Sequence, residues 1–390
     1  MKNTYSEFFT EEKGQMAVCD DSFCQNCGMT CRYLNAFHHS DRKTGCSVCR
    51  NRGEKAFKGL EALKRDIDLQ PGERIGVTTS GGKDSIHALS VMVDLFGSDR
   101  VAALTHHKVG LTDPIAEENL RKAVSILGTE LITVEETKMQ ERFRRNLALL
   151  IRNPDPAMVR VVLCAGCRYG ITEELYRKGE QAGIRKYVSA ASYLELAPFK
   201  EELLAMHGEG DTDRGFEALM EKYREYDYDY NLFYIRRDNG YKYKSNRSDD
   251  RGGLKDRVNE YHLFDLDNYL ENNPEQIERY VAERLGWQRN ERSWHFDCII
   301  EEVKDMFYYG MLGFTETDFK LAGMVRYGLM TVEEARRQLS VVRWQLEHSY
   351  PKMEQFFIRF GLSDSLTDLR RFYRESRYLC APENGKTFAA

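Results

Sequence analysis

Several features that would assign this 390-residue chain to a class are missing from it. No apolar run approaches the roughly 20 residues needed to cross a bilayer, and the N-terminal stretch MKNTYSEFFTEEKGQ lacks the apolar centre of a signal peptide. A cytoplasmic protein without membrane contact is expected. A dominant charge is also missing, with 57 Lys and Arg against 62 Asp and Glu and a formal net charge of -5. With that balance a dominant electrostatic nucleic-acid footprint is not expected, although acidic residues elsewhere can mask a local basic patch. No internal repeat or low-complexity tract interrupts the chain. With 42% hydrophobic residues it can bury a proper core over two or three domains.

Cysteine, by contrast, is plentiful, with ten residues in clusters. Cys19, Cys24, Cys27, Cys31, Cys46 and Cys49 fall together, Cys164 and Cys167 form a second group, and Cys298 and Cys380 stand alone. In a reducing compartment, CxxC pairs serve as metal ligands or redox sites more often than as structural disulfides.

Residues 1–52 are cysteine-rich, with little helical periodicity. From GEKAFKGLEALKRDIDL onward, strands and helices alternate. RIGVTT, RVAALTHH, TELITVEE and KYVSAASY read as strands. KDSIHALSVMVDLFG, IAEENLRKAVSILG, MQERFRRNLALLIRN and the stretch from Tyr169 to about Ala182 read as helices. Such alternation implies a parallel sheet in an α/β domain. After about Leu204 the character changes. The aromatic and charged stretch KYREYDYDYNLFYIRRDNGYKYKSNRSDDRGG reads as an insertion over or beside the active site, within about 205–260. YHLFDLDNY returns to strand and turn character. NPEQIERYVAERLGW, TVEEARRQLSVVRWQLEHSY and DSLTDLRRFYRESR are amphipathic helices. The expected division is 1–52, 53–270 with the insertion, and a helical region over 271–390.

The most informative segment is RIGVTTSGGKDSIHAL, where a short apolar strand runs through Ser80, Gly81, Gly82, Lys83, Asp84 and Ser85 straight into a helix. A glycine-rich turn at such a junction aims backbone N–H groups and the helix N-terminal dipole at an anion. Gly81 and Gly82 allow close approach, Ser80 and Ser85 can donate to phosphate oxygens, Lys83 supplies charge, and Asp84 can hold magnesium. The pattern fails GxxxxGK[ST], so this is not an ordinary P-loop.

The segment matches SGGxDS, the signature of the PP-loop ATP pyrophosphatases, and the chain resembles that superfamily. The resemblance implies a HUP-like α/β fold that binds ATP and Mg2+ and cleaves ATP between the α- and β-phosphates. An oxygen of the substrate is adenylated, the pyrophosphate departs into the loop, and a nitrogen or sulfur nucleophile displaces AMP. Fixed loop donors, Lys83 and magnesium would stabilise charge developing on the pyrophosphate.

Cys24-x2-Cys27 and Cys46-x2-Cys49 have the spacing of a four-thiolate zinc ribbon, with a closed, structural Zn2+. Cys19, Cys31, His38 and His39 are alternative ligands. Cys164-Ala165-Gly166-Cys167 and the distant Cys298 could together bind a [4Fe-4S] cluster with one iron left open. The run CAGCRYGITEELYRKGEQAGIRKYVSAASYLE resembles the tRNA-thiolation branch, in which the open iron is thought to carry the sulfur to be transferred. Other readings stand beside it. Cys164 and Cys167 could bind a second zinc with Cys298 and His295, or form a persulfide-forming redox pair. Cys298 alone could be an inert core residue.

A second resemblance covers ERLGWQRNERSWHFDC through GFTETDFKLAGMVRYGLMTVEEARRQL. It is similar to the C-terminal part of N-acetyl sugar amidotransferases, which take ammonia from a glutaminase partner. The CxxC at 164–167 and Cys298 depart from that branch and favour sulfur. SAASYLE in turn departs from the loop of the tRNA enzymes. The expected activity is therefore adenylation followed by sulfur transfer. A small-molecule substrate is favoured over tRNA, with a sulfur donor as partner. Nitrogen insertion with a glutaminase is the alternative, a non-catalytic nucleotide sensor is a third reading, and a homodimer is allowed.

His106 and His107 end the second strand, where adenine is expected, as a nucleotide contact or a strand-end surface pair. His87 reads as packing. His295 and Asp297 could be base or ligand, and Arg168 and Lys186 phosphate contacts or solvated charges. YREYDYDYNLFY could stack on a base or sugar, or pack within the insertion.

Overall fold

The computed structural model describes residues 23–37, 46–50, 55–137, 139–164, 174–226, 233–237, 241–245, 262–289 and 298–381. Its centre is a five-stranded parallel sheet. The strands are β1 (Arg74–Thr78), β2 (Val101–Lys108), β3 (Glu130–Glu136), β4 (Ile184–Ser189) and, after the β5–β6 hairpin (Phe233–Arg237 and Tyr241–Ser245), β7 (His262–Asp265). Their spatial order is β3-β2-β1-β4-β7, and every neighbouring pair is parallel. The order reverses direction at β1, and open α/β sheets bind ligands outside the strand carboxyl ends at such a point.

The four strands expected from the sequence are present, and the sheet has the α/β character expected of them. The fourth is shorter than its apolar pattern suggested: β4 stops at Ser189, and Ser192 caps a short 3-10 turn by accepting the Leu194 N–H. The fifth strand, β7, lies in YHLFDLDNY and pairs with β4 from Lys186–His262 to Ser189–Asp265. The residues between β4 and β7 include α9 and α10, given below, and the antiparallel hairpin β5–β6.

Helices cover both faces of the sheet. Leu60–Ile67 is α3, Lys83–Phe96 is α4 and Pro114–Leu127 is α5; nearer the N-terminus, Cys31–Phe37 is α1 and Ser47–Arg50 is α2. Ile75, Val77, Val101 and Ala103 pack with Ala88, Leu89 and Met92 of α4. The alternate residues Ala102 and Leu104 pack on the other face with Leu175 and Tyr187, as the two-residue period of a strand requires. Leu175 belongs to α8 (Leu175–Gln181). Tyr187 lies so close to this helix that a Cβ on Gly179 would sit 2.2 Å from its hydroxyl.

The remaining helices are α6 (Met139–Arg152), α7 (Pro156–Leu163), α9 (Phe199–His207), α10 (Thr212–Lys222), α11 (Pro274–Leu285), α12 (Glu301–Leu312), α13 (Glu316–Arg326), α14 (Val332–Glu347), α15 (Tyr350–Arg359) and α16 (Leu366–Glu375). Asp113-Pro114, Asp155-Pro156 and Asn273-Pro274 each start a helix. The Asx side chain accepts a first-turn N–H, and proline sits where no intrahelical donor is needed.

The largest apolar core lies beside the sheet. It joins Cys24, Cys27, Met29 and Tyr33 near the N-terminus to α6, α7, α9 and the C-terminal helices. Tyr33 meets Phe319 and Phe314 edge-on at ring-centroid distances of 4.6 and 5.6 Å, and its hydroxyl donates to Glu202 at 3.1 Å. The N-terminal cysteine segment is thus packed into the helical core. Among the described residues, no helix is long and apolar enough to cross a membrane.

Candidate active site

β1 ends at Thr78, and Thr79 ties the strand end to β2 by donating its N–H and hydroxyl to the Leu104 carbonyl at 2.8 and 3.1 Å. The chain then turns through Ser80, Gly81 and Gly82 into α4. Gly81 has φ of 87°, and a Cβ there would lie 2.0 Å from the Ala116 carbonyl oxygen of α5. Both the backbone angle and the close approach demand glycine. Ser85 Oγ accepts the Ser80 N–H at 3.2 Å and donates to the Gly82 carbonyl at 2.8 Å. The Gly82 N–H faces Ser80 Oγ at 3.4 Å.

No side chain caps α4 at Gly82. A helix start without a side-chain cap, at the end of a parallel strand, directs N–H groups and positive dipole charge outward, the arrangement that holds an anion. Lys83 Nζ sits beside it, 2.7 and 2.6 Å from the two Asp84 oxygens.

A cleft next to the loop is lined by Asp84, His87, Asp267, Glu271, Asn272 and Ile277, among others. Asp267 pairs through Oδ2 with Lys55 Nζ at 2.9 Å. Its Oδ1, and Oδ1 of Asn272, are buried without a hydrogen-bond donor among the described residues. Burial holds His87 below its ordinary range, against the opposing pull of Asp84, and the ring packs edge-on to Tyr280 at 5.4 Å. Carboxylate and amide oxygens are the groups Mg2+ takes.

The Sγ atoms of Cys24, Cys27, Cys46 and Cys49 all lie within 4.8 Å of one another. Cys24–Cys49, Cys27–Cys46 and Cys46–Cys49 are 3.5, 3.7 and 3.5 Å apart. Four sulfurs at about 2.3 Å from a tetrahedral Zn2+ would stand roughly 3.8 Å apart, so the arrangement fits that ion. Hydrogen bonds from Cys27, Cys46 and Cys49 hold the Cys24 thiol well below its ordinary range, and interactions with Cys24, Cys46 and Cys49 push Cys27 above it. Cys31 is not in this group. Cys19, His38 and His39 lie outside the described residues.

Cys164 ends α7, its N–H bonded to the Arg160 carbonyl at 3.2 Å. Cys298 pairs antiparallel with Thr112 in the β2–α5 connection, and the Ile299 N–H donates to the Leu111 carbonyl at 3.1 Å. Helix α12 begins three residues after Cys298 and packs on α7. Cys167, Arg168, His295 and Asp297 lie outside the described residues, as do residues 227–232 in the middle of YREYDYDYNLFY.

His106 stands at the carboxyl end of β2, 6% exposed, with neither ring nitrogen hydrogen-bonded among the described residues. Burial, reinforced by Lys108 and His107, draws its pKa to about 3. It shares the strand parity of Ala102 and Leu104, and therefore the face covered by α8. His107 lies within 3.9 Å of Glu117. Lys186 binds Glu73 and the Asp68 carbonyl at 2.8 and 2.7 Å, a surface arrangement near the start of β4.

Two features escaped the sequence reading. The first is a half-buried ion network beside Cys164, in which Lys200 meets Glu316 at 2.6 Å and Lys304 meets Glu301 at 2.6 Å and Glu316 at 3.5 Å. Burial draws Lys200 down to about 8 despite Glu316. Burial also opposes the Lys304 charge, but Glu301, Glu316 and, behind them, Cys164 hold it well above its ordinary range. Only long-range packing brings these residues together, so no local pattern could signal them. The second is Trp287, whose indole N–H donates to the Gly81 carbonyl at 3.1 Å. The LGW sequence carried that signal without its meaning.

The SGGKDS loop thus joins β1 to α4 in a parallel sheet ordered β3-β2-β1-β4-β7, the strand-to-helix junction in an α/β sheet that the sequence led one to expect. No protein-family model and no curated protein matches the chain. Solved structures that match include a glutamine-dependent NAD+ synthetase from Acinetobacter baumannii in complex with ADP (23% identity, TM-score 0.25). That match covers 33% of this chain and 23% of that one. An NH3-dependent NAD synthetase from Campylobacter jejuni matches at 13% identity over 42% of this chain and 81% of that one, with a TM-score of 0.27. The U34-tRNA thiolase NcsA from Methanococcus maripaludis, solved with its [4Fe-4S] cluster, matches at 13% identity, covering 85% and 88% of the two chains with a TM-score of 0.31.

Proposed function

We propose that this protein is an ATP-dependent enzyme that adenylates a substrate oxygen and replaces it with sulfur. The observation that carries the first half is the loop itself: glycines forced by close packing, a helix start without a side-chain cap, and Lys83 and Asp84 in contact beside it. ATP lies with its β- and γ-phosphates toward Ser80–Ser85. The substrate oxygen attacks the α-phosphorus, the bond from that phosphorus to the bridging oxygen breaks, and pyrophosphate takes the electron pair. Lys83 leaves Asp84 for the phosphate oxygens and balances their charge, while Asp84 and the neighbouring carboxylates hold the magnesium. His106 borders the nucleotide at the end of β2.

A sulfur nucleophile then adds to the activated carbon, and AMP leaves with the C–O electron pair. Cys164, Cys167 and Cys298 hold the [4Fe-4S] cluster. The attachment of Cys298 to the β2–α5 connection, and of Cys164 to the helix that packs on α12, supports this assignment. When bound, such a cluster would supply a Lewis-acidic iron for handling the incoming sulfur. Cys24, Cys27, Cys46 and Cys49 hold a structural zinc. The substrate is a small molecule, in keeping with the mild net charge, and tRNA is the competing substrate.

Two measurements on anaerobically purified protein test the reading. Iron and acid-labile sulfide should accompany zinc, and ATP should yield AMP and pyrophosphate with loss of that activity in Lys83→Ala. A colourless protein that carries only zinc, with Cys164→Ala still active, would overturn the sulfur step in favour of nitrogen insertion fed by a glutaminase. Absence of pyrophosphate release with every substrate tried would leave only nucleotide sensing.

A further inference from the structure

The segment Gly286-Trp287-Gln288 follows α11, more than 200 residues from the phosphate loop in sequence, yet it is stitched to the loop and to α5. Trp287 is 5% exposed and packs among Ile86 of α4, Ala116 and Ala123 of α5, and Val281 and Leu285. Asn119 of α5 donates to the Gln288 carbonyl at 2.8 Å and accepts the Gln288 N–H at 2.9 Å. Lys122 reaches the Gly286 carbonyl at 3.1 Å. The Trp287 indole N–H meets the carbonyl oxygen of Gly81 at 3.1 Å in a buried contact.

That single bond has a directional consequence. The Gly81–Gly82 peptide is trans, so its C=O and N–H point to opposite edges of one plane. Fixing the Gly81 carbonyl toward Trp287 fixes the Gly82 N–H on the other edge, where it faces Ser80 Oγ. The opposite flip would turn a carbonyl oxygen toward the bound anion. Glycine on both sides of this peptide makes such a flip sterically easy, so an external partner is needed to hold one orientation. The Ala116 carbonyl, against which no Cβ could fit, closes the other side of Gly81.

We propose that Trp287 is a positioning residue of the phosphate loop: it holds the Gly81 carbonyl away from the anion site and so presents the Gly82 N–H to pyrophosphate. This rests on the reading of Ser80–Ser85 as a pyrophosphate loop. Trp287 touches neither substrate nor ATP. It acts through Gly81, and Asn119 acts one step further out by locking Gln288.

The test is calorimetric titration of the full-length protein with inorganic pyrophosphate and with ATP, in wild type, Trp287→Phe and Lys83→Ala. Phenylalanine keeps most of the apolar packing and removes the N–H. The expected result is a folded Trp287→Phe protein that binds pyrophosphate about tenfold more weakly, about 1.4 kcal/mol of binding free energy. KM for ATP should rise in parallel while kcat falls less. A residue that served packing alone would lower the melting temperature and the folded fraction but leave the affinity of the folded protein unchanged. Equal pyrophosphate affinity in wild type and Trp287→Phe would overturn the proposal and leave the loop reading standing. If wild type itself binds no more tightly than Lys83→Ala, the loop reading falls and takes the proposal with it. Should Trp287→Phe not fold, Asn119→Ala reads the same property away from the loop. A loss of about threefold supports the proposal, and unchanged affinity overturns it.

Discussion

Cys298 and Thr112 form an antiparallel bridge that pins the start of α12 to the connection after β2. Cys164 ends α7, which packs on the same helix. Replacing either Cys298 or Cys164 by alanine should reduce iron and sulfide in anaerobically purified protein to near background and leave zinc unchanged. Elemental analysis with visible absorbance checks this. Full iron retention in both variants would remove these residues from the cluster.

Gly81→Ala puts a methyl group 2.0 Å from the Ala116 carbonyl at a residue with φ of 87°. Backbone strain and overpacking each cost about 1–3 kcal/mol, so a combined loss of roughly 2–6 kcal/mol is expected in chemical unfolding. ATP affinity should fall by at least about tenfold as the loop shifts away from α5. Gly82→Ala, with an extended φ of -70° and nearest contact at 3.4 Å, should cost much less.

His106 gives a pH prediction with a definite sign. Its pKa falls from 6.5 in the unfolded chain to about 3 in the fold, chiefly through burial. The unfolded state therefore binds more protons between these values, and stability contributed by neutral His106 is complete above pH 6.5 and lost as pH falls toward 3. In His106→Leu, unfolding free energy should decline less steeply over that window than in wild type. The difference should be on the order of a few kcal/mol at its acid end. Parallel curves for the two proteins would show that His106 becomes protonated freely in the folded state.

Cys27→Ser should lose zinc and, with it, more than the ribbon. The four sulfurs share a core with Tyr33, Phe314 and Phe319, and Arg343 and Arg336 stack on Phe23 at 4.8 and 5.5 Å. Loss of a structural metal from such a core is expected to cost more than about 3 kcal/mol. It should appear as a lowered melting temperature and greater protease sensitivity in α13 and α14. Chelation of the wild type should reproduce it.

The sequence by itself determined the local pieces. Strand runs, helix periodicity and Asx-Pro helix starts depend on neighbours within a few residues. SGGKDS and the two CxxC pairs likewise state their chemistry through short spacing. The junction of β1 and α4 and the gathering of Cys24, Cys27, Cys46 and Cys49 were therefore legible in advance. Tertiary structure decided everything that depends on which distant segments meet. β7 joins β4 across an intervening hairpin, the N-terminal cysteine segment packs into the helical core, and Lys200 and Lys304 both meet Glu316. Trp287 reaches Gly81 in the same way. Burial, the physical cause of the His106 and Lys200 shifts, exists only once those segments have met, because it is the exclusion of water by residues remote in the chain.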